Sequence, residues 1–291
     1  MNDSISPIDG HLRRLHLANT RRTWKALCER AEVHSWTFQR FLETLCLEEV
    51  LHRAGTRVQR LVKRAGFPFL RTLDDFNFSR QSELRLVSLG SFTGPDFVTE
   101  GRNLIFLGRP GRGKTHLAVA IAYKAIQNGF DARFATAANL IDELSRASRK
   151  NTFRKALKPW IQPDVLVIDE LGYLACTPDA ANVLYHVVNE RHLKRKPIVI
   201  TSNKDLQTWG DVLLDRDLGA VIVDRLLERA RVFKLDGPSN RSDLSDLTNP
   251  FEPPSTPARI SGKSRPEFPE PTPSKRPRTV STSDCAAEPR A

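Results

Sequence analysis

From Asn103 onward, apolar residues come in short unbroken runs separated by stretches with three-and-four spacing, an alternation that predicts strands and helices in turn. The runs at 104–107, 132–135, 165–168, 198–201 and 232–235 read as strands. The stretches at 113–127, 137–149, 178–193 and 220–229 read as helices, and Thr177 as N-cap with Pro178 behind it marks the start of one of them. Runs apolar on both faces belong inside a parallel sheet covered by helices. The pattern over 101–236 therefore predicts an α/β domain with a five-stranded parallel sheet flanked by helices.

The first part of the chain has a different rhythm. Residues 11–65 read as helical, and Leu47, Val50, Leu51, Ala54, Val58, Leu61, Val62 and Ala65 fall at the spacing of one buried stripe. Gly66-Phe67-Pro68-Phe69 breaks the helix. Residues 1–70 are thus expected to form a basic helical domain and 71–100 a linker, anchored by Phe76 and Phe78, either of which could instead lie against an adenine. After Gly237 the aliphatic residues thin out and eleven of the 19 prolines follow, so 237–291 is expected to be a disordered tail, with Lys275-Arg-Pro-Arg278 a weak electrostatic contact at most.

Charge sharpens this division. The chain carries a formal +11, and residues 11–71 hold 13 Lys and Arg against five Glu and no Asp. Arg53, Arg57, Arg60 and Arg64 repeat at steps of four, three and four, which lines them along one helix face. Such a row is by default a solvated face, and the shortage of interleaved Glu raises the alternative of a contact that tracks the phosphates of DNA. The segments 146–158 and 191–196 are further basic surfaces of the same two-sided kind. Cys28, Cys46, Cys176 and Cys285 are scattered without metal spacing and are expected to be reduced cytosolic thiols; the histidines also lack metal spacing and are expected to be structural or surface residues. No run approaches ~18 apolar residues and the first residues lack an export-signal design, so the expectation is a soluble, cytoplasmic protein with no membrane partner.

The candidate chemistry lies between the first strand and helix of the α/β domain. Gly108-Arg109-Pro110-Gly111-Arg112-Gly113-Lys114-Thr115 has the spacing at which backbone N–H groups cradle a nucleoside triphosphate, Lys114 reaches its outer phosphates and the Thr115 hydroxyl holds Mg²⁺. The apolar strand of Val165-Leu-Val-Ile168 ends in Asp169-Glu170, where a parallel sheet binds its ligands. Asp169 would complete the Mg²⁺ shell with Thr115, and Glu170 would act as the general base on water. Asn203, just past the fourth strand, could orient that water. Arg225, or its neighbours Arg216, Arg229 and Arg231, could reach the terminal phosphate in an adjacent subunit.

Gly-Arg-Pro-Gly-Arg-Gly-Lys-Thr-His-Leu-Ala, Val-Leu-Val-Ile-Asp-Glu-Leu-Gly-Tyr, Ile-Thr-Ser-Asn203 and Val-Asp-Arg225-Leu-Leu-Glu-Arg together resemble the IstB-like helper ATPases of insertion-sequence transposition. These are a AAA+ branch of the P-loop NTPases, related to DnaC-type helicase loaders, and the resemblance spans roughly residues 25–240. It implies an ATP-hydrolysing, DNA-binding oligomer, a ring or spiral, that bends double-stranded target DNA and works with a cognate transposase. Asn203 would be the sensor-1 residue and Arg225 the arginine finger. Arg112 departs from the small residue usual at its loop position, and the tail has no counterpart. A replicative helicase loader and an ATP-binding switch without turnover are the alternative readings.

Overall fold

The computed structural model describes residues 6–80, 86–172 and 179–237. The expected helix start at Thr177-Pro178, two of the cysteines (Cys176 and Cys285) and the proline-rich segment from Pro238 lie outside these residues. Three helices lead: α1 (Pro7–Arg14), α2 (Ala18–Val33) and α3 (Phe38–Ala65). Thr37 caps α3 by accepting from the N–H of Arg40, and Gly66, at φ 72°, ends it in the left-handed conformation that suits glycine. Two short helices follow, α4 (Leu86–Leu89) and α5 (Asp96–Thr99), and then the chain alternates as its pattern predicts. The order is β1 (Asn103–Gly108), α6 (Lys114–Gln127), β2 (Ala132–Thr136), α7 (Ala137–Arg149), α8 (Phe153–Ile161), β3 (Val165–Leu171), α9 (Ala180–Leu193), β4 (Ile198–Ser202), α10 (Trp209–Val212), α11 (Arg216–Leu227) and β5 (Ala230–Leu235).

The strands form one sheet in the order β2-β3-β4-β1-β5, with every adjacent pair parallel. Side chains alternate faces along each strand. Ile105, Leu107, Leu166, Ile168 and Ile200 pack into one core with α7, α8, α9 and α11, whereas Leu104, Phe106, Val165, Val167 and Val199 pack into the other with α6. Each large side chain so buried stabilises the fold by roughly 1.5–3 kcal/mol. The amino-terminal edge of the sheet is tied by polar side chains. Asn103 donates to the Leu226 carbonyl and accepts from the Ile198 N–H. Arg191, fully buried, donates to the carbonyls of Trp160, Pro163, Asp164 and Pro197 at 2.8–3.0 Å.

The structure differs from the sequence reading in how α3 is used. A boundary at residue 70 would cut through packed structure, because Leu61 and Ala65 are buried in the α6-side core and the end of α3 lies against β2 and α6. The stripe is buried only at that end. Leu47, Val50 and Leu51 are 46%, 62% and 61% exposed, as are Phe38 (96%) and Leu42 (59%) nearer the start. The reason is that α2 covers a different face of α3: Glu49 is buried and accepts from the Thr20 N–H and hydroxyl at 2.8 and 3.0 Å. Among the described residues no helix is long and apolar enough to cross a membrane.

Candidate nucleotide-binding site

A cavity of about 840 Å³ opens at the carboxyl ends of the strands, between the glycine-rich loop, Asp169-Glu170 and Asn203. The loop leaves β1 through Gly108, where φ is 148° and a Cβ would stand 2.5 Å from the Leu235 carbonyl oxygen. Gly111 and Gly113 turn the backbone at φ 80° and 86°, and α6 starts at Lys114 with its positive end towards the cavity. Pro110, Gly111, Gly113, Lys114 and Thr115 line the cavity; Gly108, Arg109 and Arg112 shape the loop from outside that lining. Lys114 Nζ donates back to the Arg109 carbonyl at 2.9 Å. The Arg112 guanidinium is turned towards the end of β5, donating to the Asp236 carbonyl at 2.6 Å.

Across the cavity, Asp169 is buried and is the hub of a small network. The Thr115 hydroxyl lies 3.0 and 3.1 Å from its two carboxylate oxygens, and the Thr201 hydroxyl donates to Oδ1 at 2.5 Å. Burial pushes the Asp169 carboxyl above its ordinary range, against the pull of the Thr201 and Thr115 hydroxyls and Lys114. Glu170 is exposed by contrast. The β3–β4 register slips between Ile168 and Leu171, and Glu170 takes φ 60°, a left-handed conformation rare outside glycine. Its N–H donates to the same Thr201 hydroxyl at 2.9 Å. The bulge therefore buries one carboxylate and turns the next into the cavity.

Thr201 escaped the sequence reading. A threonine closing an apolar strand looks like an ordinary β-former, and only the pairing of β4 with β3 puts its hydroxyl between the two acids. Asn203 stands where the sequence places it, lining the cavity, with its Oδ1 buried and without a hydrogen-bond partner among the described residues. Gly172 leaves it room, since a Cβ there would come within 2.5 Å of that oxygen. The Thr115–Asp169 pair is a hard-oxygen donor set suited to Mg²⁺, and the loop's open cradle beside Lys114 suits a polyphosphate. Among the described residues no cluster of three or more His, Cys, Asp or Glu is available to hold a metal alone.

Other predicted residues lie elsewhere. Phe76 is buried, edge-on to Phe78 and His116 at 4.8 and 5.3 Å, so it anchors the linker and is not available as a shelf for adenine. His116 Nε2 lies 2.8 Å from the Thr72 carbonyl, and burial lowers its pKa, which fits a structural histidine. Arg225 sits at the amino-terminal edge of the sheet, away from the cavity of its own chain, with its guanidinium over Tyr185 at 4.6 Å and bonded to Asn189 Oδ1. The arginine row is largely engaged within the molecule. Arg53 pairs with Glu49, Arg57 donates to the Gly129 carbonyl and Arg64 pairs with Asp131. Arg60 alone of the four has no such contact among the described residues.

A phosphate loop rising from β1, between β4 and β5 of a parallel sheet that carries its acids on β3, is the architecture of P-loop ATP-binding proteins of the AAA+ type. More particularly, the chain belongs to the family of IstB-like ATP-binding proteins, whose sequence model matches residues 10–246. It is 35% identical over 234 residues to the putative ATP-binding protein of insertion sequence IS5376 from Geobacillus stearothermophilus, an alignment covering 80% of this chain and 93% of that one. It is 31% identical over 230 residues to the corresponding protein of IS21 from Pseudomonas aeruginosa, covering 79% and 86%. Among solved structures, the DnaC helicase loader matches 52% of this chain and 88% of its own at 26% identity, with a TM-score of 0.45.

Proposed function

We propose that this protein hydrolyses ATP, binds duplex DNA as an ATP-assembled oligomer, and prepares target DNA for a transposase. The observation that carries the catalytic part is the bulge at Asp169-Glu170, which separates a buried carboxylate joined to Thr115 from an exposed one facing the same cavity. Bound ATP with Mg²⁺ would supply the electrophilic phosphate and the cation that spreads its charge. Lys114 and the glycine-rich loop would hold the phosphates, Thr115 and Asp169 the cation. Glu170 would accept a proton from the attacking water while the unpaired Asn203 Oδ1 orients it. Arg225 would complete the site of a neighbouring subunit after leaving Asn189 and Tyr185. Membership in a family whose relatives are named as insertion-sequence ATP-binding proteins supports the transposition setting. The basic row of α3, with Arg60 uncommitted, is the proposed DNA contact.

Phosphate release and ATP binding, measured with and without duplex DNA, test this reading. Lys114→Ala should lose ATP binding, whereas Glu170→Gln should keep it and lose turnover by about 10²–10⁴-fold, the usual scale of general-base catalysis. Equal loss of binding in both variants would undo the division of roles. Wild-type protein that binds ATP yet never turns it over, even with DNA and transposase present, would make it a switch.

A further inference from the structure

Arg71 lines the phosphate cavity together with Lys114, Thr115 and Glu170, yet it belongs to none of the motifs that predict the site. It comes from the linker, six residues past the last residue of α3. The backbone beside it is pinned from two directions. The Thr72 N–H and hydroxyl both donate to Asp75 Oδ2, at 2.8 and 2.9 Å, closing a tight turn. The Thr72 carbonyl meets His116, the residue after Thr115, and the His116 ring rests on buried Phe76. Arg71 is therefore held against the first turn of α6, beside the residues that cradle phosphate.

Its side chain is exposed and makes no hydrogen bond or ion pair among the described residues. Asp75, four residues on and close enough to feel its charge, has one carboxylate oxygen already engaged by Thr72. A planar guanidinium on the wall of a phosphate cavity has the geometry for bidentate contact with phosphate oxygens. The cavity also reaches Phe134 and Thr136 on β2, on the far side of β3 from the loop, so it extends past Glu170 to where the linker crosses. A triphosphate seated on Gly111–Thr115 with its last phosphate towards Glu170 would point that phosphate at Arg71's side of the cavity.

We propose that Arg71 binds the terminal phosphate of the nucleoside triphosphate in cis, making the linker a sensor of triphosphate against diphosphate. The proposal rests on the nucleotide reading of the cavity. Because the same short segment continues α3, a phosphate contact at Arg71 is only a few residues from the helix that carries the basic row. Among the described residues, no other cation from outside the α/β fold lines this cavity.

Calorimetric titration of the full-length protein with ATPγS and with ADP, for wild type, Arg71→Ala and Arg71→Lys, tests it. Arg71→Ala should weaken ATPγS binding by about tenfold or more, as expected for a lost charged hydrogen bond, and leave ADP binding within about twofold. Arg71→Lys should fall between, keeping the charge without the fork. Melting temperature without nucleotide should not move, because the side chain is solvated. Equal weakening for both nucleotides, or for neither, would overturn the proposal, as would loss of DNA affinity alone. Failure of wild-type protein to bind either nucleotide would instead sink the reading of the cavity itself.

Discussion

The two ends of the parallel sheet use polar groups in opposite ways. At the amino-terminal edge the polar groups work mainly within the chain: Arg191 is fully buried and satisfies four carbonyls through its two terminal nitrogens, though its Nε has no partner among the described residues, and Asn103 bridges β4 and the end of α11. At the carboxyl edge the chain leaves groups uncommitted, with Asn203 Oδ1 unpaired and Glu170 turned outward on a left-handed backbone. Buried polar groups are costly unless satisfied, so groups bonded within the chain serve stability, whereas those left open beside a cavity are available to a ligand. The contrast separates architecture from chemistry within one sheet.

The largest effect should come from breaking the amino-terminal edge. Burial lowers the Arg191 pKa to about 9, still above neutrality, so the guanidinium is charged while it holds its four carbonyls. Arg191→Met should cost about 3–5 kcal/mol of stability, the scale seen when buried polar groups lose a charged partner, measured as a drop in the denaturant midpoint. A change below about 1 kcal/mol would mean that the carbonyls find other partners.

A smaller effect is expected at the open end from Thr201→Val, which keeps the shape and removes the hydroxyl shared by Asp169 and the Glu170 N–H. Turnover should fall about tenfold, the value of one such hydrogen bond, with the KM for ATP nearly unchanged and Thr201→Ser restoring activity. Wild-type turnover in the valine variant would show that the bulge holds Glu170 unaided.

The smallest change in stability should be a gain. Because burial raises the folded-state pKa of Asp169 above its unfolded value, the folded protein holds this proton more tightly. The ionised carboxylate thus costs stability above the unfolded pKa, and that cost fades as the pH falls through the folded value. Asp169→Asn should raise the nucleotide-free Tm at neutral pH, by about 2–4 °C for each kcal/mol recovered, while abolishing hydrolysis. The gap between variant and wild type should narrow in acid. A lower Tm for the variant at neutral pH would mean that the lost hydrogen bonding outweighs the removed charge.

What could be read from sequence follows from how local each signal is. β1, β3 and β4 are unbroken apolar runs, and the phosphate loop is a contiguous spacing, so both were legible without contacts. Helix α8 was not, because its three basic residues and an internal Pro159 obscure an apolar face built on Leu157 and Trp160. Thr201 and Arg71 were not, since their importance comes from strands or segments that meet only in three dimensions. The stripe on α3 misled for the converse reason: periodicity identifies a face but not what covers it, and only the last turns meet the sheet. Phe76 and Phe78, by contrast, pack against each other as the linker anchors expected from their sequence.

Helix α3 is also a lever. Its 28 residues span about 42 Å at the usual helical rise, with the foot set in the sheet core and the middle carrying α2 through Thr20 and Glu49. A rotation of only ~10° at that foot would carry the start of the helix through ~7 Å, so an adjustment of bond-length scale beside β2 and α6 becomes a displacement of nucleotide size at the other end.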